Sequence, residues 1–258
     1  MKVNQKFFDK RKNVIFYLAL GIVGLILFIW VSIRVDGQEW FFKAYPDVKL
    51  YYATNVVSGW ANFAYFTYLS LILFSLWCVL YFVAFIFKSD KLLGFLKNEA
   101  TVTFITANYV ISCIFYTVFA LLQSPPNFSL YNIREPYAWF SFSTNIIIHY
   151  FYTAFVLVMF FKIDVNISKR KIYHLIPLLY MLVYYAIVKV TGMYVYRIEW
   201  YPYPIFHPQF MNEIFGIEGS NPIGYLFMVV ACAILLVCYY GLYFGALKLK
   251  RSRDCANT

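Results

Sequence analysis

Apolar residues along this chain come in long, nearly unbroken runs separated by polar and basic segments. A helix needs roughly 20 apolar residues to cross the hydrocarbon core of a bilayer. Six runs reach that length, at about residues 14–34, 60–87, 102–123, 139–161, 172–195 and 221–248. The pattern predicts an all-α fold: one integral membrane domain over residues 1–258, built as a bundle of six transmembrane helices. The first run follows KFFDKRK. It is too long for the apolar core of a signal peptide and no small-x-small cleavage site follows it, so it reads as a span.

Composition agrees. The chain is 62% hydrophobic and 13% charged, whereas ordinary globular proteins carry about 25% charge. Basic residues set the orientation, because cytoplasmic loops concentrate Lys and Arg. With the N-terminus inside, only Arg34, Lys43, Lys49, Arg134 and Arg197 fall on the outer side, and Lys189 lies within the fifth run. All other Lys and Arg fall on the inner side. Both termini are predicted cytoplasmic, in a multi-pass protein of the cell membrane. The net charge of +10 then belongs to inner loops facing anionic lipid. It does not call for nucleic acid, for which no motif is present. Cys78, Cys113, Cys232 and Cys238 lie in apolar runs and Cys255 in the tail, so no disulfide is expected. The ending Cys255-Ala-Asn-Thr lacks an aliphatic residue at Asn257 and is discounted as a prenylation box. The outer segments 35–59 and 196–220 are rich in Trp, Tyr and Pro. They read either as an interfacial aromatic belt or as a lid over a cavity open to the outer leaflet.

Polar positions inside the runs are few. In the fourth, Ser141, Asn145, His149 and Thr153 recur every four residues, which aligns them on one helix face, with Tyr152 beside them. Such a stripe must face protein or water, because lipid cannot satisfy it. Counted from Trp139, His149 lies roughly 15 Å deep, near the midplane. An ionisable group there is a functional candidate; the alternative is a neutral His tying two helices together. In the second run Thr67 and Ser70 share a face, and Thr67 lies about 10 Å below the outer surface. A hydroxyl and an imidazole at similar depth can form a nucleophile–base pair, although membrane Thr hydroxyls commonly bond back to their own helix. In the third run Thr101, Asn108 and Ser112 share a face and read as packing or as a cavity wall. Lys189 can snorkel to the interface, His174 reads as interfacial, and His207 lies in the Pro-rich outer loop.

Other chemistries lack their residues. No metal-ligand spacing, phosphate-binding glycine loop or G-x-S-x-G elbow occurs, so no cofactor or metal is expected. No acidic residue lies within a run, which argues against a proton pump built on an intramembrane carboxylate.

Three segments in order, Phe66-Thr67-Tyr68, Asn145-Ile-Ile-Ile-His149 and Thr191-Gly-Met-Tyr-Val-Tyr196, resemble the androgen-induced-gene family of multispan membrane proteins and its bacterial relatives. The resemblance runs from about residue 60 to 205. Tyr65 and the proline-free stretch after His149 depart from the animal pattern, and Trp200-Tyr-Pro-Tyr-Pro-Ile-Phe206 looks more like the bacterial branch. The animal members are threonine hydrolases that cleave esters of fatty acids with hydroxy fatty acids. The resemblance implies that Thr67 is the nucleophile and His149 its base, with membrane lipid or an amphiphilic ester as substrate. Asn145, Ser70, Asn108, Tyr152 and Thr153 are the candidate lining of a cavity among the second to fifth helices. Two other readings stay open. One is a transporter, or the substrate-binding subunit of one, whose central polar cavity takes a small solute. The other is a structural subunit whose polar stripes join helices.

Overall fold

The computed structural model describes residues 2–33, 65–122, 144, 146–166, 171–190 and 223–256. Among them the expected all-α fold is found. Helix α1 is Lys2–Ile33, α2 Phe66–Ile86, α3 the short Asp90–Leu96 and α4 Glu99–Leu122. A π-helical turn, Ile147–Phe151, runs directly into α5, Tyr152–Lys162. A 3-10 turn, Lys171–Leu175, leads into α6, Ile176–Val190, and α7 is Ile223–Ala256. Pro177 sits at the second position of α6, where a missing N–H breaks no helical bond.

Among the described residues, four stretches are long and apolar enough to cross a membrane: Lys12–Ser32, Phe66–Ile86, Glu99–Thr117 and Ile223–Ser252. The fourth and fifth predicted runs appear as the shorter apolar helices Ile147–Lys162 and Ile176–Val190. The second of these has 15 residues among those described. Residues 139–143, 145 and 191–195 of these runs, the outer segments 35–59 and 196–220, and His207 lie outside the described residues.

Helix α4 is the hub. Most of Glu99–Thr117 is buried, whereas most of Ile223–Ser252 of α7 is not. It packs on α2, α5, α6 and α7. The largest helix–helix contact is between α1 and α2, and small residues explain it. A Cβ on Gly21 would lie 2.9 Å from Cys78 Cβ, and a Cβ on Gly24 would overlap Ser75 Oγ and Tyr152 Oη. Lipid is as apolar as a side chain, so association depends on such close approach. The core above this contact holds Leu20, Leu71, Phe74, Trp77, Tyr109, Ile148, Tyr152 and Val156.

One end of the bundle is fastened by polar contacts. Helix α2 stops at Lys88, whose φ of 51° is left-handed. Ser89 N–H donates to Ala84 O at 3.0 Å and Lys88 N–H to Phe85 O at 3.3 Å. This is a Schellman closure with Lys where Gly is usual. Asn98 caps α4, its Oδ1 accepting from Ala100 N–H at 3.0 Å. Asn166, beyond α5, donates to Lys97 O at 2.8 Å and accepts from Glu99 N–H at 3.0 Å. From α7, Arg251 pairs with the fully buried Glu99, and buried Lys250 donates to Ile163 O. Segments that the charge bias assigns to the inner side therefore meet at one end.

Candidate functional site

The candidate residues gather at two polar centres, both built on one face of α4. Asn108, Ser112 and Tyr116 follow one another at four-residue intervals, so they stack along that face about 6 Å apart. Each receives a group from another helix.

Asn108 anchors the first centre. Its Nδ2 donates to Ser70 Oγ at 2.8 Å, and its Oδ1 accepts from Tyr239 Oη at 3.0 Å. Ser70 donates back to Phe66 O at 2.7 Å. Its contact with Tyr180 Oη at 3.2 Å therefore has the tyrosine as donor. Ser70 and Asn108 are buried. Residues from α2, α4, α6 and α7 thus close one hydrogen-bonded cluster around Asn108. The sequence placed Ser70 and Asn108 on a cavity wall. In the structure the hydroxyls of Tyr180 and Tyr239 complete their bonding.

Ser112 and Tyr116 form the second centre. Thr67 is 3% exposed, and its Oγ1 lies 3.4 Å from Ser112 O. Its hydroxyl turns across to α4 rather than back along its own helix. One turn further on, the His149 imidazole stacks on the Tyr116 ring, with centroids 3.6 Å apart and planes 18° from parallel. His149 is also 3% exposed. The proposed nucleophile and base thus come from separate elements and dock on consecutive turns of one helix.

His149 lies inside the π turn, and the turn has a visible support. Tyr152 N–H bonds to Ile147 O, five residues back, so Ile148 O loses the donor that α-helix geometry would give it. The hydroxyl of Tyr109 donates to Ile148 O instead. Both groups are buried, and an unpaired buried carbonyl is costly. The next carbonyl, His149 O, accepts from Thr153 Oγ1 at 2.9 Å.

Of the expected stripe, His149 and Thr153 are described, and both reach α4: His149 stacks on Tyr116, and Thr153 lies beside Tyr109 and Cys113. After His149 the buried face passes through Tyr152, Val156 and Met159, while Thr153 is half-buried. The Tyr152 hydroxyl reaches α1, where its Oη donates to Leu20 O at 2.7 Å. Asn145 and Ser141 lie outside the described residues. His174 contacts Tyr243 Oη at 3.3 Å, near the fastened end. Lys189 lies 5.8 Å from the Tyr185 ring. Thr101, buried, has no hydrogen-bond partner among the described residues. They also hold no group of His, Cys, Asp or Glu able to bind a metal ion.

Sequence reasoning passed over Tyr109, Tyr116, Tyr180 and Tyr239. Each lies in an apolar run among 25 tyrosines, and a tyrosine's apolar ring and polar tip give the same letter whether it fills a core or donates a bond.

No protein-family model matches this chain, and no curated protein or solved structure matches it either.

Proposed function

We propose that this is a six-span protein of the cell membrane, with cytoplasmic termini, that hydrolyses esters of lipids or fatty acids. Thr67 would be the nucleophile and His149 the general base. The observation that carries the reading is the docking of both residues, buried, on the Ser112 and Tyr116 turns of α4.

The chemistry follows from the pair. Thr67 Oγ attacks the ester carbonyl carbon while His149 takes the hydroxyl proton, and that proton passes to the departing alkoxide. Water then attacks the acyl-threonine; His149 accepts one water proton and returns it to Thr67 Oγ as the carboxylic acid leaves. Substrate would reach the pair by displacing the Thr67 hydroxyl from its 3.4 Å contact with Ser112 O, which is weak by hydrogen-bond geometry. The π turn supports the reading as well, since such turns occur frequently at functional sites.

The test uses a fluorophosphonate probe on the purified chain. Labelling of the native protein is expected, with loss in Thr67→Ala and in His149→Ala. Equal labelling of all three proteins would remove the hydrolase reading.

The Ser70–Asn108–Tyr180–Tyr239 cluster favours a second reading, a transporter or substrate-binding subunit. Four helices converge there on groups that a small polar solute could engage in place of one another. Solute-dependent thermal stabilisation without turnover, abolished by Asn108→Leu, is the result that reading predicts.

A further inference from the structure

The fastened end of the bundle carries a second feature, independent of both centres. A surface groove of about 470 Å³ runs along α7, lined by Phe244, Leu247, Lys248, Arg251 and Ser252. These positions fall at i, i+3, i+4, i+7 and i+8, one face of the helix. Their order along the axis is chemically sorted. Phe244 and Leu247 come first, on the side of the apolar span, and Lys248, Arg251 and Ser252 follow over the next turn or so. The groove is therefore apolar towards the membrane interior and cationic with a hydroxyl towards its edge, the polarity of a phospholipid standing beside the helix.

The basic segment divides its charges. Lys250 is 1% exposed and turned inward to Ile163 O. Arg251 gives Nε and Nη2 to Glu99 Oε1, which leaves Nη1 uncommitted by that pair, and its side chain is 44% exposed. Lys248 is exposed. The Glu99 pair thus fixes one cation at the rim while Lys248 stands one turn away on the same face. Phe244, 46% exposed, is held against Tyr240, with ring centroids 5.9 Å apart.

We propose that this groove binds a phospholipid with an anionic headgroup. The phosphate is taken by Lys248, the free edge of Arg251 and the Ser252 hydroxyl, and the upper acyl chain lies on the exposed Phe244 ring, over the buried Leu247. Charge complementarity selects an anionic lipid over a zwitterionic one, and the apolar half selects a lipid over a free anion.

The full chain, purified in neutral detergent, would be titrated with dioleoyl phosphatidylglycerol, with dioleoyl phosphatidylcholine and with inorganic phosphate, and bound lipid followed by native mass spectrometry. Phosphatidylglycerol is expected to bind more tightly than phosphatidylcholine. Lys248→Gln should weaken phosphatidylglycerol binding about fivefold, from a contribution near 1 kcal/mol per basic residue at the surface. Ser252→Ala should weaken it further in combination. Lys248 is exposed, so the variant should unfold at the native temperature when no lipid is added. Lys91→Gln removes the same charge from an exposed site elsewhere at this end and should leave binding within about twofold of native. Equal binding of the two lipids, undiminished binding by Lys248→Gln, or an equal loss in Lys91→Gln would each overturn the proposal. So would inorganic phosphate displacing the lipid at equimolar concentration, which would make the groove an anion site only.

Discussion

The hydroxyl of Tyr109 donates to the carbonyl of Ile148, at the point where the π turn leaves that carbonyl without its usual backbone donor. A side chain of α4 thus supports the irregular turn that presents His149. Tyr109→Phe keeps the ring and removes the donor, so a buried acceptor is left unpaired. The expected loss is about 1–3 kcal/mol, read as a lower unfolding midpoint in detergent. If the hydrolase reading holds, fluorophosphonate labelling should fall as well. An unchanged midpoint would mean that the turn does not need the tyrosine.

The close approach of α1 to α2 depends on Gly21 and Gly24 lacking side chains. Gly24→Ala brings a methyl group onto Ser75 Oγ and Tyr152 Oη. Overpacking of this kind typically costs about 1–3 kcal/mol. At Gly245, in α7, an added methyl group would meet nothing within 4 Å, so Gly245→Ala should be neutral or stabilise by up to about 1 kcal/mol through helix propensity. Thermal unfolding of the two variants in one detergent checks the contrast, and equal destabilisation would contradict it.

Arg251 matters because Glu99 is buried. Arg251→Ala strands a carboxylate that is 0% exposed, and breaking a buried pair from one side costs up to about 3–5 kcal/mol. The guanidinium is partly exposed, so the lower part of that range is expected. Replacing both residues, Arg251→Ala with Glu99→Gln, should recover more than half of the loss. A double variant as unstable as the sum of the singles would show that the two residues act separately.

At the end of α2, Lys88 adopts a left-handed φ of 51°. Such a conformation costs a side-chain-bearing residue about 1–2 kcal/mol. Lys88→Gly should therefore raise stability by about 1 kcal/mol, measured by thermal or denaturant unfolding. A destabilised variant would show that the Lys88 side chain makes a contact worth more than the backbone relief.

Much of this arrangement follows from hydropathy. Runs 14–34, 60–87, 102–123 and 221–248 each correspond to a helix of membrane-spanning length. Burial of Thr67 and His149 was equally legible, since a polar group in an apolar run has to turn inward. What the letters did not carry was register. The π turn has no residue signature, so the four-residue repeat from Ser141 to Thr153 gave no sign of it. Thr67 and Ser70 looked like neighbours in one cavity because they are three residues apart. They reach different partners because Thr67 meets the Ser112 carbonyl while Ser70 meets the Asn108 amide, two consecutive turns of α4. Partner choice of that kind depends on tertiary packing, which a single helix sequence does not encode.

Whether Thr67 and His149 work as a pair is decided by the site of covalent capture. After reaction with a fluorophosphonate, the chain would be digested and the adduct located by tandem mass spectrometry. A single adduct on Thr67 Oγ is expected, absent from His149→Ala. An adduct on Ser70 or on any other hydroxyl, or a Thr67 adduct that forms equally well without His149, would contradict the pairing.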